Sequence, residues 1–310
     1  MLKRLAILCP GQGGQHSRMF EFAHRDAQTR DWLASSPLES ELGMPVDVVL
    51  NDGTQLFANR FAQPLMVASA ASTWNAIRDL VPAPALVAGY SIGELSAYAV
   101  AGSLDAGAAV ALAGCRARLM DECASEATPQ QLVAVSGMST ARLGAFLPDD
   151  ALFIAIETGD DSAIIGGDKA AAEILSGKLR AMGCRVSVLP VGVASHTPYM
   201  NAAASRFLAE MRQHRFAPPV FPVVAGISGR LVFGVEDAQA TLASQIANTI
   251  RWKDCMDSCA EAGITIALEL GPGTALSRML RERHPYIECR AIDEFRSAEG
   301  VARWVGRHFD

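Results

Sequence analysis

The chain has 310 residues, half of them apolar, and a net charge of -6; a chain of that length and composition buries a large core, as one large domain or two smaller ones, and is not a disordered segment. The charge is spread with no basic run, which argues against a nucleic-acid binder or a protein held to anionic lipid, and no apolar stretch approaches the roughly 18 to 20 residues of a membrane helix. Seven cysteines without a C-x-x-C or zinc spacing, and an N-terminal run "LAILCP" too short for a signal peptide, predict a cytoplasmic protein with no resident metal.

In chain order, "KRLAILCPGQGGQ" reads as a buried strand and a glycine-rich loop. As a dinucleotide fingerprint the loop fails, because its last glycine is replaced by His16 and no Walker lysine follows. Its glycines still let backbone N–H groups approach a ligand closely. Residues 17–80 read as helices with loops, including an apolar helix starting near Pro64 and stopping before Pro82. The stretch "PALVAGYSIGELSAYAVAG" then runs a strand through a G-x-S-x-G turn directly into a helix, and a further helix is expected from an N-cap at Ser103. From 128 to 192 the order is β-α-β-β-α-β, which is the ferredoxin-like arrangement. After it, "PVFPVVAGISG" reads as a strand, and "ITIALELGPGTALSRMLRER" as strand, turn and helix. Strands alternating with helices on both sides of the insert imply a mostly parallel sheet covered on both faces. The fold expected is therefore α/β, with residues 1–127 and 193–310 as the core and 128–192 as an inserted subdomain.

The G-x-S-x-G turn is either a tight βα turn that needs small residues or a nucleophile elbow, in which Gly89 and Gly93 give room for an exposed Ser91. In the second case the Ile92 N–H, at the helix N-terminus, is half of an oxyanion hole, and the loop around Gln12 is the candidate for the other half. Such a donor contributes about 3 to 4 kcal/mol of transition-state stabilisation. Six histidines compete as base. His196 stands out, since "LPVGVASHTPYM" places it in a loop between a strand and a Thr-Pro helix start. No third acid is fixed by spacing: Asp160, Asp161 and Asp168 lie between Ser91 and His196 but in turns of the insert, and a backbone carbonyl is the other option. At about 100° per residue, Arg116 shares an arc with Leu112, Cys115, Leu119 and Met120, and Arg118 falls outside it. A guanidinium on a semi-apolar face needs an anion, which a substrate carboxylate supplies. Arg281, Arg283 and Arg290 are either a local basic patch or isolated surface charges.

Together "CPGQGGQ", "GYSIGE", "RARLM", "SHTPYM", "SQIANTIRW" and "ELGPG" resemble, in order and nearly end to end, the motifs of the malonyl-CoA:acyl carrier protein transacylase family. The resemblance implies an α/β-hydrolase-like core with a ferredoxin-like insert, and a Ser-His dyad in place of a triad. Ser91 would be the nucleophile, His196 the base and acid, and Arg116 the ligand for the acyl carboxylate. Gln12 and Ile92 would form the oxyanion hole, and the Gln245 carbonyl would orient His196. Malonyl-CoA would be a substrate, with no permanently bound cofactor, and an acyl carrier protein the partner.

Two departures bear on acyl preference. Tyr90 replaces the family's usual histidine, and Ser195 replaces a phenylalanine, so that "VASH" resembles a tetrapeptide of methylmalonyl-selective polyketide acyltransferases. The short chain and its ending "RAIDEFRS" resemble most the transferase (epsilon) subunits of bacterial malonate decarboxylase, which implies that complex's carrier subunit as acceptor. The alternatives are a fatty-acid or polyketide malonyl or methylmalonyl transacylase, a serine thioesterase or esterase on the same elbow, and a silent carrier-docking subunit.

Overall fold

Apolar runs without alternation belong to strands covered on both faces. In the computed structural model, which describes residues 3–309, β1 (Leu5–Cys9) and β2 (Leu86–Gly89) are buried at every position. Four strands follow in one stretch: β3 (Gln130–Ser136), β4 (Leu152–Glu157), β5 (Ser162–Asp168) and β6 (Arg185–Val188). Later come β7 (Val223–Val224), β8 (Leu231–Val232), β9 (Ile250–Arg251), β10 (Ile266–Glu269) and β11 (Glu288–Ala291).

The large sheet has the order β11-β10-β1-β2-β7-β8 and is parallel apart from the β7–β8 edge pair. The order reverses at β1, which lies between β2 and β10. In such sheets the crevice beyond the carboxyl ends of the strands at the reversal receives ligands. Here that crevice is bounded by the loop after Cys9, the turn after Gly89 and the turn after Glu269. The last two lead into the helices Gly93–Val100 and Ala275–Arg283.

The small sheet has the order β6-β3-β5-β4-β9, antiparallel from β6 to β4. The helices Thr140–Gly144 and Lys169–Ala181 complete a β-α-β-β-α-β run with its own apolar cluster, including Val133, Leu152, Ile165, Leu175 and Leu179. Its last strand, β9, comes from beyond residue 192 and pairs parallel with β4, so the two units share a sheet edge.

Three local expectations differ from the structure. The helix expected near Pro64 spans Asn59–Ile77, with Pro64 inside it; most of its residues are buried, and packing on all sides outweighs the single backbone bond the proline removes. The next helix, Ala106–Ser125, is capped by Asp105 and not by Ser103. The Asp105 carboxylate accepts from the N–H groups of Gly107 and Ala108, while Ser103 Oγ donates to the Ala217 carbonyl. "PVFPVVAGISG" contributes only the two residues of β7, because the prolines before it have no N–H to pair.

Candidate active site

β2 ends at Gly89, and the helix Gly93–Val100 begins after a turn closed by the Gly93 N–H donating to the Tyr90 carbonyl at 2.9 Å. Ser91, at the tip, has φ of +54°, a left-handed conformation that costs a non-glycine residue energy. A Cβ on Gly93 would run into the Cys9 carbonyl oxygen, and one on Gly89 into the Gly93 carbonyl oxygen. The helix therefore abuts β1 and β2 with no space for side chains, and Ser91 is pushed out toward the crevice.

His196 also has positive φ, +63°, and is 1% exposed. Its N–H donates to the Ile246 carbonyl at 2.7 Å, which ties the loop to the segment that carries Gln245. The ring bridges two groups: Nδ1 meets the Gln245 carbonyl and Nε2 meets Ser91 Oγ at 2.8 Å. A carbonyl only accepts, so Nδ1 carries the proton and Nε2 is left to accept from the serine hydroxyl. Burial, aided by the positive charge of Arg116, pushes the imidazole down to about 3, so the ring is neutral at ordinary pH.

The Gln245 side chain continues the connection. Its Nε2 donates to the Ser91 carbonyl at 2.9 Å and to Glu94 Oε2 at 3.3 Å, and its Oε1 faces Arg116 Nη2 at 3.5 Å. Arg116 is 2% exposed, and its Nη1 donates to Gln63 Oε1 at 2.7 Å. Gln63 in turn donates to Asn59 Oδ1 at 2.7 Å, so a chain of amides holds the guanidinium. Burial pushes Arg116 down to about 10, with Glu94 opposing the shift.

A cleft of about 670 Å³ opens over Ser91 and His196, between the loops of the large sheet and the strands β3, β5 and β6 of the small one. Gln12, Tyr90 and Ser195 line it. Gly11 packs against the elbow so closely that a Cβ there would lie 2.7 Å from the Tyr90 carbonyl oxygen, which brings the Gln12 backbone beside the serine. Among the described residues neither the Gln12 nor the Ile92 N–H has a backbone acceptor. Tyr90 itself leans edge-on against Trp252, ring centroids 5.2 Å apart.

A hydroxyl on a neutral imidazole, a free N–H at a helix start and a buried guanidinium one amide away are the parts that nucleophilic acyl transfer calls for. The sequence model of the acyl transferase domain family matches residues 7–301. The chain belongs to the acyl transferase domain family. It is 26% identical over 309 residues to the malonyl CoA-acyl carrier protein transacylase of Escherichia coli O157:H7, covering 94% of this chain and 97% of that one. The crystal structure of MCAT from Mycobacterium tuberculosis superposes with a TM-score of 0.89 at 26% identity, over 97% of this chain and 99% of the other. A malonyl-transacylase solved in complex with its type II polyketide acyl-carrier protein gives a TM-score of 0.89 at 25% identity, with the same coverage.

Within this acyl transferase domain the structure brings Ser91, His196 and Gln245 into contact and sets Gln12, Tyr90, Ile92 and Ser195 around them. Arg116 does not line the open cleft; it is connected to the site through Gln245 alone, while Gln63 and Asn59 anchor it from the side away from the serine. Arg118 is exposed and paired with Glu41 at 2.7 Å. None of the three aspartates weighed as a third acid is the partner of the His196 ring, whose Nδ1 meets the Gln245 carbonyl. Asp160 pairs with Lys253 and Arg283, the Asp161 carbonyl accepts from Gly137, and Asp168 caps the helix Lys169–Ala181. His16 and His284 face Asp293 and Asp257, and His24 and His308 lie against Phe20 and Trp304. Of the three arginines weighed as a basic patch, Arg283 pairs with Asp257 and Asp160 and Arg290 lies 3.7 Å from Glu294, while Arg281 donates to the Cys289 carbonyl. Sequence reasoning assigned nothing to Gln63 and Glu94. The signal was there: each is a long polar residue inside an apolar helical run, which is the pattern of a buried, partnered group.

Proposed function

We propose that this acyl transferase domain moves a malonyl group from malonyl-CoA to the thiol of an acyl carrier protein through an ester on Ser91. The alignment of Ser91 Oγ, His196 and the Gln245 carbonyl carries the reading. His196 Nε2 takes the serine proton as Oγ attacks the thioester carbonyl, and the oxyanion is held by the Gln12 and Ile92 N–H groups. Collapse expels coenzyme A, whose thiolate receives the proton from His196; the carrier thiol then attacks the ester and the same steps run in reverse. Arg116, which sits behind the Gln245 amide, would take the malonyl carboxylate once that 3.5 Å contact opens, turning the acyl group so that its carbonyl stays at the oxyanion donors.

The relatives described above support a malonyl transacylase of the fatty-acid or polyketide kind better than the transferase subunit of malonate decarboxylase, which has only the sequence resemblance in its favour. Tyr90 and Ser195 line the cleft where they would shape the acyl pocket, and Ser195 is the residue whose size would admit an α-methyl. In this reading the large sheet with its helices is an α/β-hydrolase-like core, residues 1–127 and 193–310, and 128–192 a ferredoxin-like subdomain that roofs the cleft. Seven free cysteines fit a reducing cytoplasm. No described helix is long and apolar enough to cross a membrane.

Intact-mass spectrometry after brief exposure to malonyl-CoA tests the proposal. A malonyl adduct that persists without a carrier and is absent in Ser91→Ala is the expected result. Accumulation of free malonate with no adduct would replace it with a hydrolase.

A further inference from the structure

Glu94 is a buried titratable group that the steps above do not use. It stands on the first turn of the helix after the elbow, with 0% exposure. Its Oε2 accepts from the Gly226 N–H at 3.0 Å and from Gln245 Nε2 at 3.3 Å, while the equally buried Oε1 has no partner. The other end of the same Gln245 amide faces Arg116 Nη2 at 3.5 Å. One amide thus separates a buried carboxylate from a buried guanidinium, its N–H toward the anion and its carbonyl toward the cation. An acyl carboxylate arriving at Arg116 would be a second anion beside a single buried cation, and two carboxylates sharing a dry site do not both stay ionised.

Resting on malonyl transfer with Arg116 as the carboxylate ligand, we propose that Glu94 sets the site's preference for an anionic acyl group through its own protonation: neutral, it leaves the Arg116 charge to the acyl carboxylate, and ionised, it competes for it. Glu94 acts through Arg116 and Gln245 and is a positioning residue. The unpartnered Oε1 is the atom on which the proton would sit.

The titratable groups that face Glu94 come from three helices and one loop. They are Arg116 on Ala106–Ser125, Tyr98 on its own helix, Cys255 on Trp252–Glu261 and, across Gln245, His196. Burial pushes Tyr98 and Cys255 up and His196 down, so all three are neutral near pH 8 and Arg116 is the charge that remains. Burial pushes Glu94 up to about 8, against the opposing pull of the Gly226 N–H and of Arg116. The carboxyl is therefore neutral below that pH and ionised above it. Malonyl loading weakens as pH rises through this range, and acetyl loading, which brings no carboxylate, does not.

The test is the rate of Ser91 acylation by malonyl-CoA and by acetyl-CoA from pH 6.5 to 9, read by intact mass, in the wild type, Glu94→Gln and Glu94→Asp. The ratio of the two rates cancels the titration of shared groups. In the wild type it should fall, approaching about tenfold per pH unit above the midpoint, and in Glu94→Gln, which cannot ionise, it should stay level. Glu94→Asp should keep a fall with a displaced midpoint, and decides the matter if Glu94→Gln does not fold. A level wild-type ratio, the same fall in Glu94→Gln, or an unmoved midpoint in Glu94→Asp overturns the role of Glu94 while malonyl transfer stands. Acetyl adducts with no malonyl adduct at any pH would instead overturn the malonyl reading itself.

Discussion

Ser91 and Arg116 are one Gln245 side chain apart, yet the first is held by backbone and the second by side-chain amides. On the serine side, a strand, a turn and a helix meet so closely that Gly89 and Gly93 admit no Cβ, and the hydroxyl has few other places to be. On the arginine side, Gln63, Asn59 and Gln245 form a buried polar network whose members depend on one another. Such a network is rigid when every group is satisfied and exposed to failure when one is removed. In the proposed transfer, the first arrangement suits a nucleophile that works on any acyl group, and the second suits recognition of one particular charge.

The largest effect that would sharpen this contrast is on the serine side. Ser91→Ala should lower turnover by about 10⁴-fold or more with every acyl donor, measured by transfer to a carrier thiol. Neutral His196 extends the active range on the acid side, since burial pushes it to about 3. The same burial has a cost in stability. The unfolded chain takes up a proton on this histidine from about pH 6.5 downward and the folded chain does not, so stability should fall as the pH drops from that point toward 3, in urea titrations at stepped pH.

Gly93→Ala should destabilise the fold by about 2 to 3 kcal/mol, because the clash is with the backbone of Cys9 and Pro10. An unchanged urea midpoint would break the claim that backbone packing sets the elbow. Arg116→Ala should slow malonyl transfer by about 100-fold through loss of a charge-assisted bond, with acetyl transfer nearly unchanged. Equal loss for both acyl groups would break the division of labour between the two sides. Gln63→Leu, which removes one partner of Arg116, should raise the KM for malonyl-CoA by about tenfold and leave acetyl transfer as it was.

Much of the large sheet was legible because its strands are short, mostly apolar and bounded by glycine or proline. The elbow was legible because its requirement is local: a serine between two glycines, a strand before and a helix after. The cap at Asp105 was misread because Ser103 and Asp105 are both good cap residues two positions apart, and the choice between them depended on Ala217, far along the chain, taking the Ser103 hydroxyl. β9 was not anticipated, since two residues gain strand geometry only by meeting the edge of β4. Gln63 and Glu94 went unassigned for a similar reason. A buried amide or carboxylate has a role only once its partners are known, and theirs lie 53 residues away at Arg116 and 132 residues away at Gly226.

The sequence by itself determined the longer strands and the helices that follow them, the serine at its turn, the loop position of His196 and the place of Arg116 on the apolar arc of its helix, since each follows from periodicity, turn chemistry or spacing within one segment. The contact of the Gln245 carbonyl with the imidazole was implied by the family resemblance and by no spacing; only the tertiary structure decided that one Gln245 amide joins elbow, carboxylate and guanidinium, and that none of the three aspartates meets His196. The physical reason is that hydrogen bonds and charge coupling act over a few ångströms of space, and which residues share those ångströms is settled by packing and not by position in the chain.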